Sequence, residues 1–584
     1  MILQSLKKYY DRLAGSGEDD VPLFGFARQK IHFCLVLEPD GDPATVRVMD
    51  LRVLDGKKPR PVELIVPEPV IRSVQIDANF LWDNTGYVLG ADARDKPDRA
   101  LQAHDEFRKL AHRIGDGVDD AGMKAVLRFL DAWKPSDAPT LALWSEMIGQ
   151  NLVFRLQGDR CFVHERPAVR AAWSNNCAAK APDAEGMCLI TGSEGSLARL
   201  HPAIKGVAGA QPSGAALISF NLDAFTSYGK DQNFNAPVGR EAAFAYTTAL
   251  NRLLSGGSRQ KVRIGDTTLV FWAERETLAE SLLAGLLDPQ IQTDLLGAAD
   301  DGAVKSLRVI LEAARIGRVQ DAVDEPDVPF YVLGLSPNAA RLSVRFWYES
   351  TVGEIVRNIG RHFREAAIVK SYESDPEYPS AWQFLRETAP LGKSENISPL
   401  LAGAFMRSVL TGSFYPQNLL QTVLTRIRAD QRINTLRASL IKACLIRNHN
   451  HGEIGMSLDS SSTNVGYRLG RLFAVLEGIQ SEANRGISST IRDKYFGSAA
   501  VTPQKIFPML FGLAQQHLAK LRRDPDRKGF AVFFDKKIQE ILSSFDASAL
   551  PSFLNPENQG LFAIGYYHQR QDFFAGKPEQ NEEE

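Results

Sequence analysis

At 584 residues with 44% hydrophobic side chains, the chain exceeds the roughly 250–300 residues over which one hydrophobic core keeps growing, so two or more domains are expected. No run approaches the roughly 18 apolar residues that span a bilayer. The five cysteines, Cys34, Cys161, Cys177, Cys188 and Cys444, include no C-x-x-C pair, so membrane and secreted roles are set aside in favour of a reducing cytoplasm.

The opening MILQSLKKYYDRL is an amphipathic helix candidate whose internal charges distinguish it from a signal peptide. From Phe24 to about Val70, the runs IHFCLVLEP, TVRVMDLRVL and VELIVPEP, separated by Pro, Gly and Asp, predict antiparallel strands. Between Ala100 and Trp133, the spacing of Phe107, Leu110, Ile114, Val126, Leu127 and Leu130 predicts helix with one buried face. LVFRLQG and RCFVHE, joined at Gln157 to Asp159, predict a hairpin. Small residues, Gly and Pro from Lys180 to Gln211 predict a loop-rich connection into a strand at Ala216–Phe220. Strands are expected at Thr268–Glu274 and Phe330–Ser350, with a helix, SLRVILEAARIG, between them. Beyond Glu354 the periodicity becomes helical, as in Leu469, Leu472, Phe473, Leu476 and Ile479. Breaks are expected at Tyr378–Pro379, Gly412, Pro416, the HNHGE to DSSST stretch, Gly497 and Asp524–Gly529, and the terminal KPEQNEEE is expected to be a disordered acidic tail. The fold class is therefore α+β: a mixed domain with a largely antiparallel sheet over 1–355, a helical region over 356–455 and a C-terminal helical bundle over 456–584.

Few residues announce chemistry. Gly392, Lys393 and Ser394 end like a nucleotide-binding loop, but Glu387 stands where that loop needs glycine. In RNHNHGE, His449, His451 and Glu453 are conceivable metal ligands, yet their i, i+2 spacing suits a strand and no third partner is evident, so a polar interhelical loop is preferred. No nucleophile, zinc or protease motif occurs, and neither enzymatic activity nor a cofactor is expected.

Polar and basic residues point elsewhere. In YGKDQNFN, Lys230, Gln232, Asn233 and Asn235 lie in a glycine-bearing loop. They either read base edges or form an Asn-rich turn in which Asn235 caps a helix opening near Pro237. Arg72, Asn79 and Asn84 form a second candidate surface beside Trp82. There Arg72 is placed to meet phosphate or guanine, while Trp82 suits a core and Asn84 with Gly86 suits a turn. The formal charge of −2 conceals a basic segment: Leu401–Phe530 holds 18 Lys and Arg against 8 Asp and Glu, enough to attract a phosphate backbone locally. Arg426, Arg428, Arg432, Arg437, Lys442 and Arg447 fall along one expected long helix, TVLTRIRADQRINTLRASLIKACLIR, and at about 100° per residue divide between two sides. Arg468, Arg471, Arg485, Arg492 and Lys494, then Lys520, Arg522 and Arg523 in LAKLRRDPDRK, extend the positive character; such residues would position a strand without reading it.

ISFNLDAFTSYGKDQNFNAPVGREAAFAYTTALNRLL at Ile218–Leu254 resembles the signature region of the large subunit of type I-C CRISPR Cascade complexes. MILQSLKKYYDRLAG, IHFCLVLEPDGD, FLWDNTGYVLG, RLGRLFAVLEGIQ, VTPQKIFPML and IGYYHQRQ extend the resemblance nearly end to end. It implies a non-enzymatic, cytoplasmic subunit that reads a protospacer-adjacent motif on double-stranded DNA and helps unwind it. It implies too that the chain stabilises the displaced strand and docks a helicase-nuclease. Implied partners are guide crRNA, the backbone and 5′-handle subunits, and a small subunit that the C-terminal bundle resembles. Within this family the small subunit arises by internal translation, so Met456 becomes a candidate start for a product of 129 residues. A rival expectation is a scaffold subunit that never touches target DNA.

Overall fold

The continuous apolar run FCLVL gives a strand buried on both faces, around which the first half is built. The computed structural model describes residues 2–575 except 16–20, 56–57, 71, 73–75, 93–96, 180–183, 265, 278–279, 281–308, 311, 314, 319–322, 324 and 544–549. The protein is α+β and divides into two units, Leu3–Pro202 with Ile218–Arg252, and Ala203–Leu217 with Leu253–Glu584.

The first unit opens with helix α1 (Ile2–Gly15), followed by strands β1 (Phe26–Ile31), β2 (Phe33–Leu37), β3 (Arg47–Asp50), β4 (Val53–Asp55), β5 (Lys58–Arg60) and β6 (Val62–Pro67). After β7 (Trp82–Asn84) come α2 (Thr85–Val88), α3 (Pro97–Gly115), α4 (Ala121–Ala132), α5 (Trp144–Met147), β8 (Asn151–Leu156) and α6 (Pro167–Ala178). The main sheet has the order β3-β2-β8-β7. Its β2–β8 pair is parallel, with Phe33 opposite Leu152 and Leu37 opposite Leu156, which the long crossover through α3 and α4 permits. Strands β1 and β6 form a separate antiparallel ribbon. Phe33, Leu35, Leu152 and Phe154 on one sheet face meet Phe107, Ala111, Val126 and Phe129 of α3 and α4. Cys34, Val36 and Val153 on the other face share a core with Trp82 and Val66. The short ribbon β9 (Glu185–Met187) and β10 (Glu194–Ser196) and helix α7 (Arg240–Leu253) complete this unit.

In the second unit, β11 (Lys261–Ile264), β12 (Thr267–Ala273), β13 (Pro329–Asn338) and β14 (Arg341–Thr351) form an antiparallel meander. Ten helices follow in the described residues: α8 (Val352–Ala366), α9 (Ala381–Arg386), α10 (Pro399–Thr411), α11 (Asn418–Asp430), α12 (Thr435–His449), α13 (Val465–Ala483), α14 (Ile491–Val501), α15 (Pro503–Arg523), α16 (Lys528–Leu542) and α17 (Pro556–Ala575). Ile355, Ile359 and Phe363 form the buried stripe of α8, whose N-cap Thr351 accepts from Glu354 N–H. One apolar core runs from Val262 through Tyr567 and crosses the boundaries expected at residues 355 and 455.

Several local expectations need correction. The expected hairpin keeps only its first arm, β8; Val163–Glu165 is a 3-10 turn, in which the Glu165 carboxylate accepts the Phe162 N–H at 2.8 Å. Ala216–Phe220 makes one isolated bridge, Ala216 to Arg341, rather than a strand. The expected long basic helix is two, because Gln431 adopts φ 52° after α11 and Asn434 caps α12 through the Arg437 N–H. Gly497 lies inside α14 and does not break it. The expected helix SLRVILEAARIG lies partly, and the tail KPEQNEEE wholly, outside the described residues.

Candidate nucleic-acid interface

Ser227 and Lys230 pair as antiparallel neighbours, the Lys230 N–H donating to the Ser227 carbonyl at 3.0 Å. The two residues between them, Tyr228 and Gly229, have φ 51° and 69°, so the chain reverses in a two-residue turn of the kind that matches strand twist. Asn235 braces it from below. Its Oδ1 accepts from Ser227 N–H at 2.9 Å, and its Nδ2 donates to the carbonyls of Lys230 at 2.7 Å and Gln232 at 2.9 Å. Asn235 therefore staples the loop instead of capping α7, which begins at Arg240. Asn233 is buried within the same 3-10 turn, Gln232–Asn235, its N–H facing the Arg199 carbonyl at 3.4 Å. Of the four loop residues singled out by sequence, only Lys230 is exposed, while Gln232 is half-buried.

Beside the hairpin lies a cleft of about 830 Å³ whose walls include Arg199, Phe220, Lys230, Gln232 and Phe234. A second cleft of about 340 Å³, with Arg240 and Phe24 in its walls, shares Leu197 and Arg199 with the first. Arg199, Arg240 and the hairpin tip Tyr228 are the residues that sequence reasoning missed here. The Y-G pair was their one local signal, weaker than the N-G or D-G of a typical turn.

The second candidate set is internal. Asp83 is buried, and Arg72 grips it with both terminal nitrogens of its guanidinium. The same carboxylate accepts N–H groups from Asn79 at 3.0 Å and Asn84 at 2.9 Å. Burial raises the Asp83 carboxyl pKa despite Arg72. The Arg72 guanidinium lies 3.9 Å from the centre of the Tyr87 ring. Asn79 accepts from Val70 N–H at 3.0 Å, and Asn84 caps α2 through Gly86 N–H at 2.9 Å. Trp82 is a core residue, donating to the Pro67 carbonyl at 2.8 Å.

The expected positive surface of the helical part is reduced to a subset. Arg437, Lys442, Arg468 and Arg471 are buried. Arg437 pairs with Asp430 at 2.5 Å and Glu387 at 2.8 Å. Arg471 pairs with Glu540 at 2.7 Å and donates to Gln569 at 3.1 Å. Arg468 donates to the Ser462 carbonyl at 2.5 Å and Lys442 to that of Ala367 at 2.5 Å; burial lowers the Lys442 pKa to about 8. Arg426 binds Asp430, Arg428 binds Gln559, and Arg492 pairs with its neighbour Asp493 at 3.1 Å. Burying a charge without a partner costs several kcal/mol, so these cations are spent on the protein's own carboxylates and carbonyls. Arg432, Lys494, Lys520, Arg522 and Arg523 remain exposed. Lys520 donates to Asn484 at 2.8 Å and Arg522 pairs with Asp535. Lys520, Arg522 and Arg523 also occupy the last turn of α15, where positive charge offsets the helix dipole.

His451 bridges Glu453 at 2.7 Å and Glu557 at 2.6 Å; burial opposes its charge, but the two carboxylates raise its pKa. Among the described residues no group of three or more His, Cys, Asp and Glu is placed to hold a metal ion. No helix among them is long and apolar enough to cross a membrane.

A family model described as CRISPR-associated protein (Cas_Csd1) matches residues 6–574. No curated protein matches the chain.

Proposed function

The chain belongs to the Cas_Csd1 family of CRISPR-associated proteins, and from that membership we propose that it acts in antiviral defence as the large subunit of a type I-C Cascade complex. It works in the cytoplasm, has no catalytic activity of its own, and recognises the protospacer-adjacent motif on target double-stranded DNA. It helps unwind that duplex for pairing with crRNA, stabilises the displaced strand and recruits the helicase-nuclease. Base pairing reads most of the target while the protein reads the flank. The observation that carries this reading is the Asn235-braced hairpin, which holds Lys230 in solvent on a turn narrow enough to approach a groove. The exposed Arg432, Lys494 and Arg523, with no ion pair among the described residues, supply sequence-independent attraction for a phosphate backbone. The inward placement of Arg72, Asn79 and Asn84 favours a second reading, a scaffold subunit that does not inspect DNA.

The test is binding of the assembled guide complex to duplexes with randomised flanking bases. Lys230→Ala should weaken binding about equally across flanks, as the loss of one phosphate contact does, and Asn235→Ala should broaden the preference by unlacing the turn. If both variants keep wild-type affinity and flank preference, the scaffold reading stands.

The proposal includes an internally translated small subunit. Met456 is half-exposed between α12 and α13, and a product starting there keeps α13 to α17. It would uncover the α17 face around Gly560, where a Cβ would lie 3.3 Å from Ile441 and Leu420 side-chain atoms. Complex purified from the intact gene should contain a product of 129 residues that disappears in Met456→Leu. Its absence from the wild-type preparation would reject internal initiation.

A further inference from the structure

Tyr228 is 99% exposed at the tip of the Ser227–Lys230 turn. Neither local conformation nor packing accounts for a tyrosine there. With φ at 51°, the position favours Gly, Asn or Asp, and a bulky residue costs about 1–2 kcal/mol. Gln232, four residues on, also has positive φ, at 47°, so two strained non-glycine residues occur in one short loop. Strain of this kind persists where surrounding contacts hold it, and it clusters at ligand-binding sites. Here the holding contacts are the three Asn235 hydrogen bonds. The Tyr228 ring makes no aromatic contact among the described residues, and a Cβ built on Gly229 would meet nothing within 4 Å. The tip is thus rigid at its base and open on its outer side.

We propose that Tyr228 stacks on an exposed nucleobase of the target DNA while Lys230 holds the adjoining phosphate. This rests on the DNA-inspecting function proposed above and names the residue that engages a base plane. An aromatic ring offers a π-face to any base, and a cation close by along the chain suits the backbone that links successive bases. A protein hot spot would instead sit within a packed apolar surround that excludes water, whereas Thr226, Ser227, Lys230 and Asp231 around Tyr228 are polar and exposed. Because the turn is already braced, little ordering entropy is lost when the ring is engaged. The base met in this way is one freed from its stack, at the edge of an opened duplex.

The experiment uses the full chain in the assembled guide complex, with 2-aminopurine at each flanking position in turn. Tyr228→Ala should lower target affinity by about 5- to 150-fold, the worth of one stacked base. It should also abolish the fluorescence change at one position and leave the slope of log affinity against log salt unaltered, since no phosphate contact is lost. Tyr228→Phe and Tyr228→Trp should retain wild-type behaviour, and Lys230→Ala should reduce the salt slope by about one. Unchanged affinity and fluorescence in Tyr228→Ala would overturn the proposal, as would a Tyr228→Phe variant as defective as Tyr228→Ala. So would loss of a protein subunit from the Tyr228→Ala complex, judged by mass, because Tyr228 would then be a protein contact. Flank preference that survives in Tyr228→Ala, with stacking lost, would separate the two assignments: base stacking at Tyr228, flank reading elsewhere.

Discussion

Gly470→Ala should lower the stability of the second unit by more than about 2 kcal/mol, as should Gly565→Ala, although alanine is the better helix former by about 0.8–1.0 kcal/mol. The two glycines lie where α13 and α17 touch backbone to backbone. A Cβ on Gly470 would fall 2.0 Å from the Phe562 carbonyl oxygen and 2.8 Å from the Tyr566 nitrogen, and one on Gly565 would fall 2.0 Å from the Tyr467 carbonyl oxygen. Gly466, one turn before Gly470, meets the Asn558 carbonyl oxygen at 2.5 Å. Main-chain atoms cannot swing aside as the end of a long side chain can, so the helices must separate. That loosens the packing around Phe473, Phe562 and Tyr566. Overpacking of a tight core costs about 1–3 kcal/mol and sometimes more, which outweighs the propensity gain. Gly512→Ala, in α15 with nothing within 4 Å of its Cβ, is the control and should be neutral or stabilising by up to about 1 kcal/mol. Denaturant midpoints of the three variants decide the matter; a Gly470→Ala as benign as Gly512→Ala would show that the helices are free to part.

The elements that sequence made legible are those whose signal is local. The apolar run FCLVL and the 3.6-residue stripe of α8 both mark structure that forms where they stand. The parallel partner of β2 was not legible, because β8 lies beyond a long helical crossover and its apolar run fits either neighbour direction. The α11–α12 boundary fell inside an unbroken apolar period. Its one signal was Asn434, whose side chain can cap a helix, and periodicity outvoted it.

At the candidate loop, sequence leaves the amides of YGKDQNFN open between base edges and an Asn-rich turn. In the structure Asn235 satisfies the loop's own backbone and Asn233 is buried, a placement that spacing does not reveal. The aromatic at the tip was passed over. The basic residues of the helical part misled for a different reason. A count of charge along the chain does not reveal that Glu387 reaches Arg437, or Glu540 Arg471, across intervals of fifty residues or more. Long-range pairing of this kind is invisible to spacing.

Arg447 shows what such pairing is worth. Its side chain is fully enclosed, with Nε 2.6 Å from Glu365 Oε2 and Nη1 donating to the Ser408 carbonyl at 2.9 Å and the Ser413 carbonyl at 3.2 Å. Its guanidinium lies 4.1 Å from the centre of the Tyr415 ring. Burial, with Arg447 adding repulsion, drives the His362 pKa down to about 3. The neutral imidazole therefore accepts the Tyr415 hydroxyl proton at Nδ1, 2.6 Å away. Arg447→Met removes the inner partner of Glu365 and, among the described residues, leaves it Arg361, at 2.7 Å and half-exposed, so it should cost about 3–5 kcal/mol. Glu365→Leu should cost a similar amount by stranding the guanidinium. The double variant Arg447→Met, Glu365→Leu should lose less than the sum of the single losses by about 1–3 kcal/mol, because the charge left unpaired by each single change is absent. Denaturant unfolding of all four proteins measures that coupling. Additive losses would show that water reaches the pair, and that its contribution is that of a surface ion pair, about 0–1 kcal/mol.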